Sequence, residues 1–170
     1  MNRVLAVAIL ATWLAGCHAG AGGSARSQGQ QVDPAQRVAQ VRAAGKTGTE
    51  LEVAPLRDPQ VEDLLQQARE HEQAGRVREA DQALRRALEI SPEAPDLLQW
   101  RAELALLGRH WDRAEQLAYR AWELGPRVGG LCRRHWNAIA QARLARGQED
   151  AAGRARQQAE GCKVAPPVRM

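Results

Sequence analysis

Two cysteines and one histidine near the carboxyl end of the sequence are the side chains best suited to chemistry. Cys132 lies three residues before His135, and Cys162 follows thirty residues after Cys132. Three alternatives fit this pattern: a disulfide, two buried free thiols, or a metal site with the imidazole as its third ligand. Zinc usually requires a tighter second pair of ligands, so we expect no metal ion here.

The motifs of common catalytic and cofactor sites are missing from the chain. It has no GxSxG nucleophile elbow, no phosphate-binding P-loop, no HExxH motif, no EF-hand loop and no dinucleotide fingerprint. His71, His110 and His135 each stand apart from any set of partner residues. We therefore expect a protein that is not an enzyme and that has no cofactor.

Composition favours a helical globular domain. Hydrophobic residues make up 44% of the chain and charged residues 26%, while aromatic residues make up only 4%. Helix formers dominate, which argues against an all-β fold and against an aromatic surface for nucleic acid. The net charge of +4 is a gradient, from −3 over residues 61–94 to +5 over residues 129–170, rather than one basic block. We expect no nucleic-acid partner.

The first seventeen residues have the pattern of an export signal. Arg3 precedes an apolar run of eleven residues, Val4 to Leu14, and small residues follow it. A bilayer-spanning helix needs about 20 apolar residues, so this run is too short to be one. The run ends in Leu14-Ala15-Gly16-Cys17, which resembles the lipobox of bacterial lipoproteins.

That resemblance implies a signal peptide over residues 1–16 and lipid attachment at Cys17. Two or three acyl chains anchor a protein stably, because each buried methylene contributes about 0.8 kcal/mol. His18 follows the cysteine, whereas inner-membrane lipoproteins of enteric bacteria typically carry Asp there. The resemblance therefore implies that the protein is anchored at the periplasmic face of the outer membrane of a Gram-negative bacterium. A secreted protein with a chance cysteine at this place is the alternative.

Residues 17–57 are expected to form the lipidated cysteine and a flexible tether. Residues 18–31 are rich in Gly, Ala, Ser and Gln and cannot build a core. A short helix over 34–44 fits the sequence, with Val38 and Val41 on one face. Whether residues 34–56 pack on the rest of the chain stays open at this point.

An internal repeat organises the remaining chain. A shift of 34 residues aligns one segment with the next, and a third copy follows after a four-residue offset. The matched positions are Leu64, Leu98 and Trp136; Ala68, Ala102 and Ala140; Ala80, Ala114 and Ala152; Ala87, Ala121 and Ala159; Pro92 and Pro126; and Gly75 and Gly147.

This period and this pattern of small residues resemble the tetratricopeptide repeat. The resemblance implies an all-α fold over residues 58–164, a right-handed α-solenoid of three helix-turn-helix hairpins. The repeats would cover 61–94, 95–128 and 133–166, with a tail over 165–170. Because no solvating final helix follows residue 161, the tail or a second copy of the chain is expected to cover the last repeat.

Local signals place helices over 60–74, 77–90, 95–107, 111–124, 133–146 and 149–161. Asp58 is the expected N-cap of the first helix, with Pro59 at its first position, and Gly75 ends it. The aromatic residues on these helices are expected in the core or between repeats, with ligand stacking as the alternative: Trp100, Trp111, Tyr119, Trp122 and Trp136.

The antiparallel hairpin of the third repeat brings the ends of its two helices together. Cys132 lies just before its first helix and Cys162 just after its second. In the oxidising periplasm we therefore predict a Cys132–Cys162 disulfide. It would contribute about 3–4 kcal/mol in the chain-entropy model, at the repeat that lacks a cap.

In tetratricopeptide arrays the first helices line a concave groove that holds a peptide or a partner helix. Spacing i, i+3, i+7, i+10 gives the positions that face it. Arg69, Arg134 and Asn137 resemble the family's clamp for a carboxylate, but Glu103 lies between them and is expected to repel one. The predicted groove comprises Glu62, Leu65, Arg69, Glu72, Asp96, Gln99, Glu103, Leu106, Arg134, Asn137, Gln141 and Leu144.

These expectations combine into a non-enzymatic adaptor lipoprotein that binds a protein or peptide partner in the periplasm through its groove. Lipoproteins of this architecture are associated with type IV pilus secretin assembly, outer-membrane protein insertion and peptidoglycan-enzyme regulation. The alternative is a structural spacer that forms a homodimer through its uncapped third repeat and binds no peptide. A hydrolase, the third alternative, would require a convergent polar pocket.

Overall fold

The computed structural model describes residues 32–47 and 55–164, whose regular secondary structure is α-helix throughout. No strand occurs among them, so the all-α prediction is confirmed. The helices belong to one compact unit, Gln31–Met170. Their bounds are α1 Pro34–Gly45, α2 Pro59–Gln73, α3 Val77–Ile90, α4 Pro95–Leu107, α5 Trp111–Leu124, α6 Gly129–Ala145 and α7 Glu149–Gly161.

Several predictions concern residues outside this range. The signal peptide, the lipid site at Cys17, most of the tether and the tail over 165–170 all lie outside the described residues. Among the helices that are described, none has the length and apolar character needed to cross a bilayer.

The helix limits follow from local chemistry. Asp58 caps α2, because its Oδ1 accepts a hydrogen bond from the Gln60 amide at 2.8 Å, and Pro59 occupies the first helical position. Most predicted limits agree with the structure within one residue, but α6 begins four residues earlier than predicted. It begins at Gly129, whose amide donates to the Cys162 carbonyl at 2.7 Å, and it therefore includes Cys132.

One residue between the two helices of each hairpin has a left-handed backbone. The φ angles are 72° at Gly75, 59° at Arg109 and 72° at Gly147. Glycine adopts this region without cost, whereas a residue with a side chain loses about 1–2 kcal/mol there. The same turn thus recurs at corresponding positions, even where the second repeat has arginine instead of glycine.

Alanine lets the helices approach closely. Successive helices pack as pairs, α2 with α3, α4 with α5 and α6 with α7, and each pair contacts the next through α3–α4 and α5–α6. The small residues of the repeat lie at these contacts with no exposed surface, where a larger side chain would force the helices apart. They include Ala68, Ala80, Ala87, Ala102, Ala114, Ala121 and Ala152. The right-handed solenoid and the tetratricopeptide assignment stay predictions.

Helix α1 is part of this array rather than of a tether. It packs against α6 and α4, and it buries Val38 and Val41 in the same core as Ile139. The approach is so close that a Cβ on Gly130 would lie 2.5 Å from the Gly45 carbonyl oxygen. Of residues 34–56, residues 34–45 therefore pack on the array, where α1 contacts the first helices of the second and third hairpins.

Three aromatic side chains pack between the second and third hairpins. The ring centroids of Trp122 and Trp136 lie 5.1 Å apart, and that of Tyr119 lies 5.3 Å from Trp122 and 6.3 Å from Trp136. The Arg127 guanidinium stacks over Trp122 at 3.7 Å. The expected packing between repeats is confirmed here, although Tyr119 keeps 42% of its surface exposed.

Cys132 and Cys162 form a disulfide, with a Cα–Cα distance of 5.7 Å. Both residues are 1% exposed. The bond joins the first turn of α6 to the residue after α7, as expected for the two ends of a hairpin. The described residues hold no group of three or more His, Cys, Asp and Glu side chains that could bind a metal ion. The disulfide accounts for both thiols that the metal alternative would have used.

We predict that replacing both cysteines with serine lowers the free energy of unfolding by about 3 kcal/mol, because the unfolded chain loses a cross-link across thirty residues. Urea unfolding with and without dithiothreitol measures the effect. The reductant should lower the midpoint of the parent protein and leave that of the double variant unchanged. Two thiols that titrate in the native, oxidised protein would contradict the prediction.

Candidate functional site

A polar cleft of about 570 Å³ lies among the first helices of the array. Four helices contribute to it: α1, α2, α4 and α6. Its lining within residues 32–47 and 55–164 has six charged side chains, one amide and one indole, and no serine, cysteine or histidine. The lining residues are Arg42, Arg69, Glu72, Gln73, Asp96, Trp100, Glu103 and Arg134.

The floor of the cleft is a buried carboxylate. Glu103 has no exposed surface. Its Oε2 accepts a hydrogen bond from Arg42 Nε at 2.8 Å, and its Oε1 accepts from Arg134 Nη2 at 2.6 Å and from Gln99 Nε2 at 3.0 Å. A buried carboxylate is destabilising unless charged donors surround it, and here two guanidinium groups do so. Glu103 therefore joins α1, α4 and α6 at one point.

Arg42 extends this network to α2. Its Nη2 donates to Glu72 Oε1 at 2.7 Å, and the second oxygen of Glu72 accepts from the Trp100 indole at 2.7 Å. Burial acts to lower the pKa of Arg42, but Glu103 and Glu72 outweigh it and raise that pKa above its ordinary value. Arg42 thus remains a cation that bridges two carboxylates on different helices.

Arg57 forms an ion pair with another residue that lines the cleft, Asp96. It pairs with Asp96 Oδ2, and its Nε lies 3.4 Å from Glu62 Oε1. Only about a tenth of the Arg57 side chain is exposed, although the residue precedes α2 in an irregular segment. The carboxylate of Asp96 therefore reaches the cleft already paired with a guanidinium.

Five of the twelve predicted groove residues line this cleft: Arg69, Glu72, Asp96, Glu103 and Arg134. Three others lie outside it. Glu62 is exposed beside Arg57, Asn137 donates to the Arg133 carbonyl at 2.9 Å, and Leu144 is half-buried.

The other four predicted groove residues are buried and do not line the cleft. Leu65 and Leu106 are 5% and 0% exposed and belong to the apolar core. Gln99 and Gln141 are 0% and 6% exposed. The physical reason for Gln141 is α1, which lies on this part of α6, while Gln99 is enclosed by hydrogen bonds to α4 and α6.

The contacts of α1 with α6 are polar as well as apolar. Arg37 Nη1 donates to Gln141 Oε1 at 3.0 Å, and Gln141 Nε2 donates to Gln40 Oε1 at 2.7 Å. Arg133 Nε donates to the Ala44 carbonyl at 3.1 Å. Burial lowers the pKa of Arg37. These bonds fix α1 over the third hairpin, so the open part of the groove lies toward the first and second hairpins.

The sequence analysis missed Arg42, Gln73 and Trp100. Arg42 was assigned to the tether segment, and its partners lie 30 and 61 residues away in the chain. Trp100 was expected in the core or between repeats, with ligand stacking as the alternative; it packs against the core, is half-buried and also lines the cleft. Gln73 is the last residue of α2, beyond the three helical turns that the spacing rule covered.

His135 is enclosed beneath the cleft. It has no exposed surface, and its Nδ1 shares a 2.8 Å hydrogen bond with Gln99 Oε1. Its Nε2 has no hydrogen-bond partner within the described residues. Burial, helped by the charge of Arg134, lowers the pKa of His135 to about 3. The imidazole is therefore neutral at neutral pH and supports Gln99, which in turn orients Glu103.

Comparison with solved structures places this architecture in a known group. The chain is similar to the globular C-terminal domain of LpoP from P. aeruginosa, with 31% sequence identity and a TM-score of 0.59. The similarity covers 62% of this chain and 99% of the LpoP domain. This chain belongs to the LpoP family. No protein-family model and no curated protein sequence matches it. The LpoP domain is thus matched over essentially its whole length.

We predict that Glu103→Gln lowers the free energy of unfolding by about 2 kcal/mol, because two guanidinium groups lose their shared buried carboxylate. The matched control is Glu89→Gln, on an exposed side chain of α3, for which the change should stay below about 0.5 kcal/mol. Urea unfolding at pH 7.5 measures both. Equal midpoints for the two variants would contradict the role assigned to Glu103.

We also predict a pH dependence that comes from His135. The unfolded chain binds a proton at this residue below about pH 6.5, while the folded protein keeps it neutral down to about 3. The contribution of His135 to the free energy of unfolding is therefore fully present above about pH 6.5 and is lost as the pH falls. At pH 5 the free energy of unfolding is lower by about 2 kcal/mol. Urea unfolding at pH 7.5 and 5.0 measures this loss. It should shrink in His135→Gln, and an identical loss in that variant would refute the assignment.

Proposed function

We propose that this protein is a non-enzymatic adaptor lipoprotein whose helical domain docks a protein or peptide partner in the bacterial periplasm. The observation that carries the proposal is the polar cleft, whose walls come from α1, α2, α4 and α6. Five of its eight side chains are held in place by ion pairs, so this part of the surface is preformed, which reduces the entropy lost on binding. Membership of the LpoP family supports an envelope role of this kind.

The chemistry of the cleft favours docking over catalysis. Among the described residues, none that lines the cleft is a serine, cysteine or histidine. The carboxylates of Glu72 and Glu103 accept hydrogen bonds at both oxygens from groups of the protein itself. These bonds hold the two carboxylates in place as fixed parts of the surface.

The lipobox-like segment supports attachment of lipid at Cys17 and a location at the periplasmic face of the outer membrane, and both are part of the proposal. This location would give the cleft access to partners in the periplasm.

Among the three assemblies associated with this architecture, we place regulation of a peptidoglycan enzyme first. Such a role requires a docking surface on one domain, and the array provides a polar cleft of about 570 Å³ for a peptide segment. The spacer alternative requires a homodimer, which light scattering would detect as a mass of twice the monomer.

A photo-crosslinking amino acid placed in the cleft tests the proposal in intact envelopes. Gln73 lines the cleft and is exposed, and Gln82 is an exposed glutamine on α3 that does not line it. We predict that the crosslinker at position 73 captures a specific envelope protein, identified by mass spectrometry, and that the same group at position 82 does not. Equal capture at both positions, or none at position 73, would refute docking through the cleft.

A further inference from the structure

The hydrogen-bond partners within the cleft show which kind of group is still unsatisfied there. Glu103 accepts from two arginines and Gln99, and Glu72 accepts from Arg42 and the Trp100 indole. Asp96 is paired through Oδ2 with Arg57. The acceptors of the cleft are thus largely satisfied within the protein itself.

The donors of the cleft are not used up in the same way. Arg69 is exposed, and among the described residues it contacts no carboxylate, since its Nε donates only to Gln66 Oε1 at 3.1 Å. Arg42 donates to Glu103 through Nε and to Glu72 through Nη2, and Arg134 donates to Glu103 through both Nε and Nη2. Nη1 of each arginine has no partner in the described part of the chain. An arginine has five N–H donors, so all three retain capacity for a ligand.

The arginine side chains of the cleft are also more exposed than its glutamate side chains. The side chains of Arg42 and Arg134 are 39% and 25% exposed, whereas those of Glu72 and Glu103 are 16% and 0% exposed. Three guanidinium groups and three carboxylates line the cleft, and the third carboxylate, Asp96, is 33% exposed but paired with Arg57. The repulsion by Glu103 that the sequence predicts is untested, and its charge is buried and shared by two arginines, which weakens its effect on a ligand.

We infer that the cleft binds an acidic segment of its partner, with an Asp or Glu side chain placed among Arg42, Arg69 and Arg134. This inference rests on the proposed function and gives the chemistry of the partner. The buried carboxylate of Glu103 holds two of the guanidinium groups in position, so that they meet the ligand preorganised. The ring of Trp100 forms an apolar wall beside the charged groups.

Three synthetic twelve-residue peptides of repeating Glu-Ser, Lys-Ser or Gln-Ser test the inference on the mature lipidated chain in a zwitterionic detergent. Fluorescence anisotropy gives the dissociation constants at low salt, and the Trp100 indole N–H resonance, assigned with Trp100→Phe, reports binding in the cleft. We expect the Glu-Ser peptide to shift this resonance and to bind at least about fivefold more tightly than the other two.

Two charge reversals make the test specific to the cleft. Arg69→Glu changes a cleft residue that has no ion pair, and Arg86→Glu changes an exposed arginine on α3, so neither variant threatens folding. We expect Arg69→Glu to raise the dissociation constant of the Glu-Ser peptide about fivefold and Arg86→Glu to change it less than twofold. Equal weakening by both variants would overturn the inference, as would a Trp100 resonance that no peptide moves.

The outcome also separates this inference from the proposed function. A partner captured at position 73 whose docking segment is basic, together with tighter binding of the Lys-Ser peptide, would overturn the acidic ligand and leave docking through the cleft intact. Capture at position 73 that is lost in Arg69→Glu and kept in Arg86→Glu would support both.

Discussion

The buried carboxylate of Glu103 is the constraint on which the arrangement of this array depends. A carboxylate without exposed surface is tolerated only when charged donors surround it, and these donors come from α1 and α6. The position of α1 is therefore tied to that of α4 and α6 by one ionic centre. A small shift of any of the three helices would leave a charge unpaired in a region of low dielectric.

The same centre determines what remains open for binding. Because α1 packs on α6, it encloses a residue of the predicted groove there, Gln141. Arg42 of the same helix lines the polar cleft. Helix α1 thus covers one part of the predicted groove and contributes to the wall of the cleft.

Much of the fold could be predicted from the sequence, because its signals are local or periodic. The 34-residue spacing of Ala and Pro positions gave the hairpins, and Asp58-Pro59 gave the start of α2. The packing of α1 could not be predicted, because it depends on pairs far apart in the chain, such as Arg42 with Glu103. Five of the residues that the spacing rule named line the cleft, and others that it named are enclosed by the rest of the fold.

Native-state hydrogen exchange tests most directly whether α1 is a fixed part of the array. The account predicts that the amides of Val38 and Val41 exchange with a protection close to that of Ile139 in α6, because all three residues lie in one core. Amides of α1 that exchange as in an unprotected helix, while those of α6 remain protected, would contradict it. In that case the concave surface would be open along its whole length.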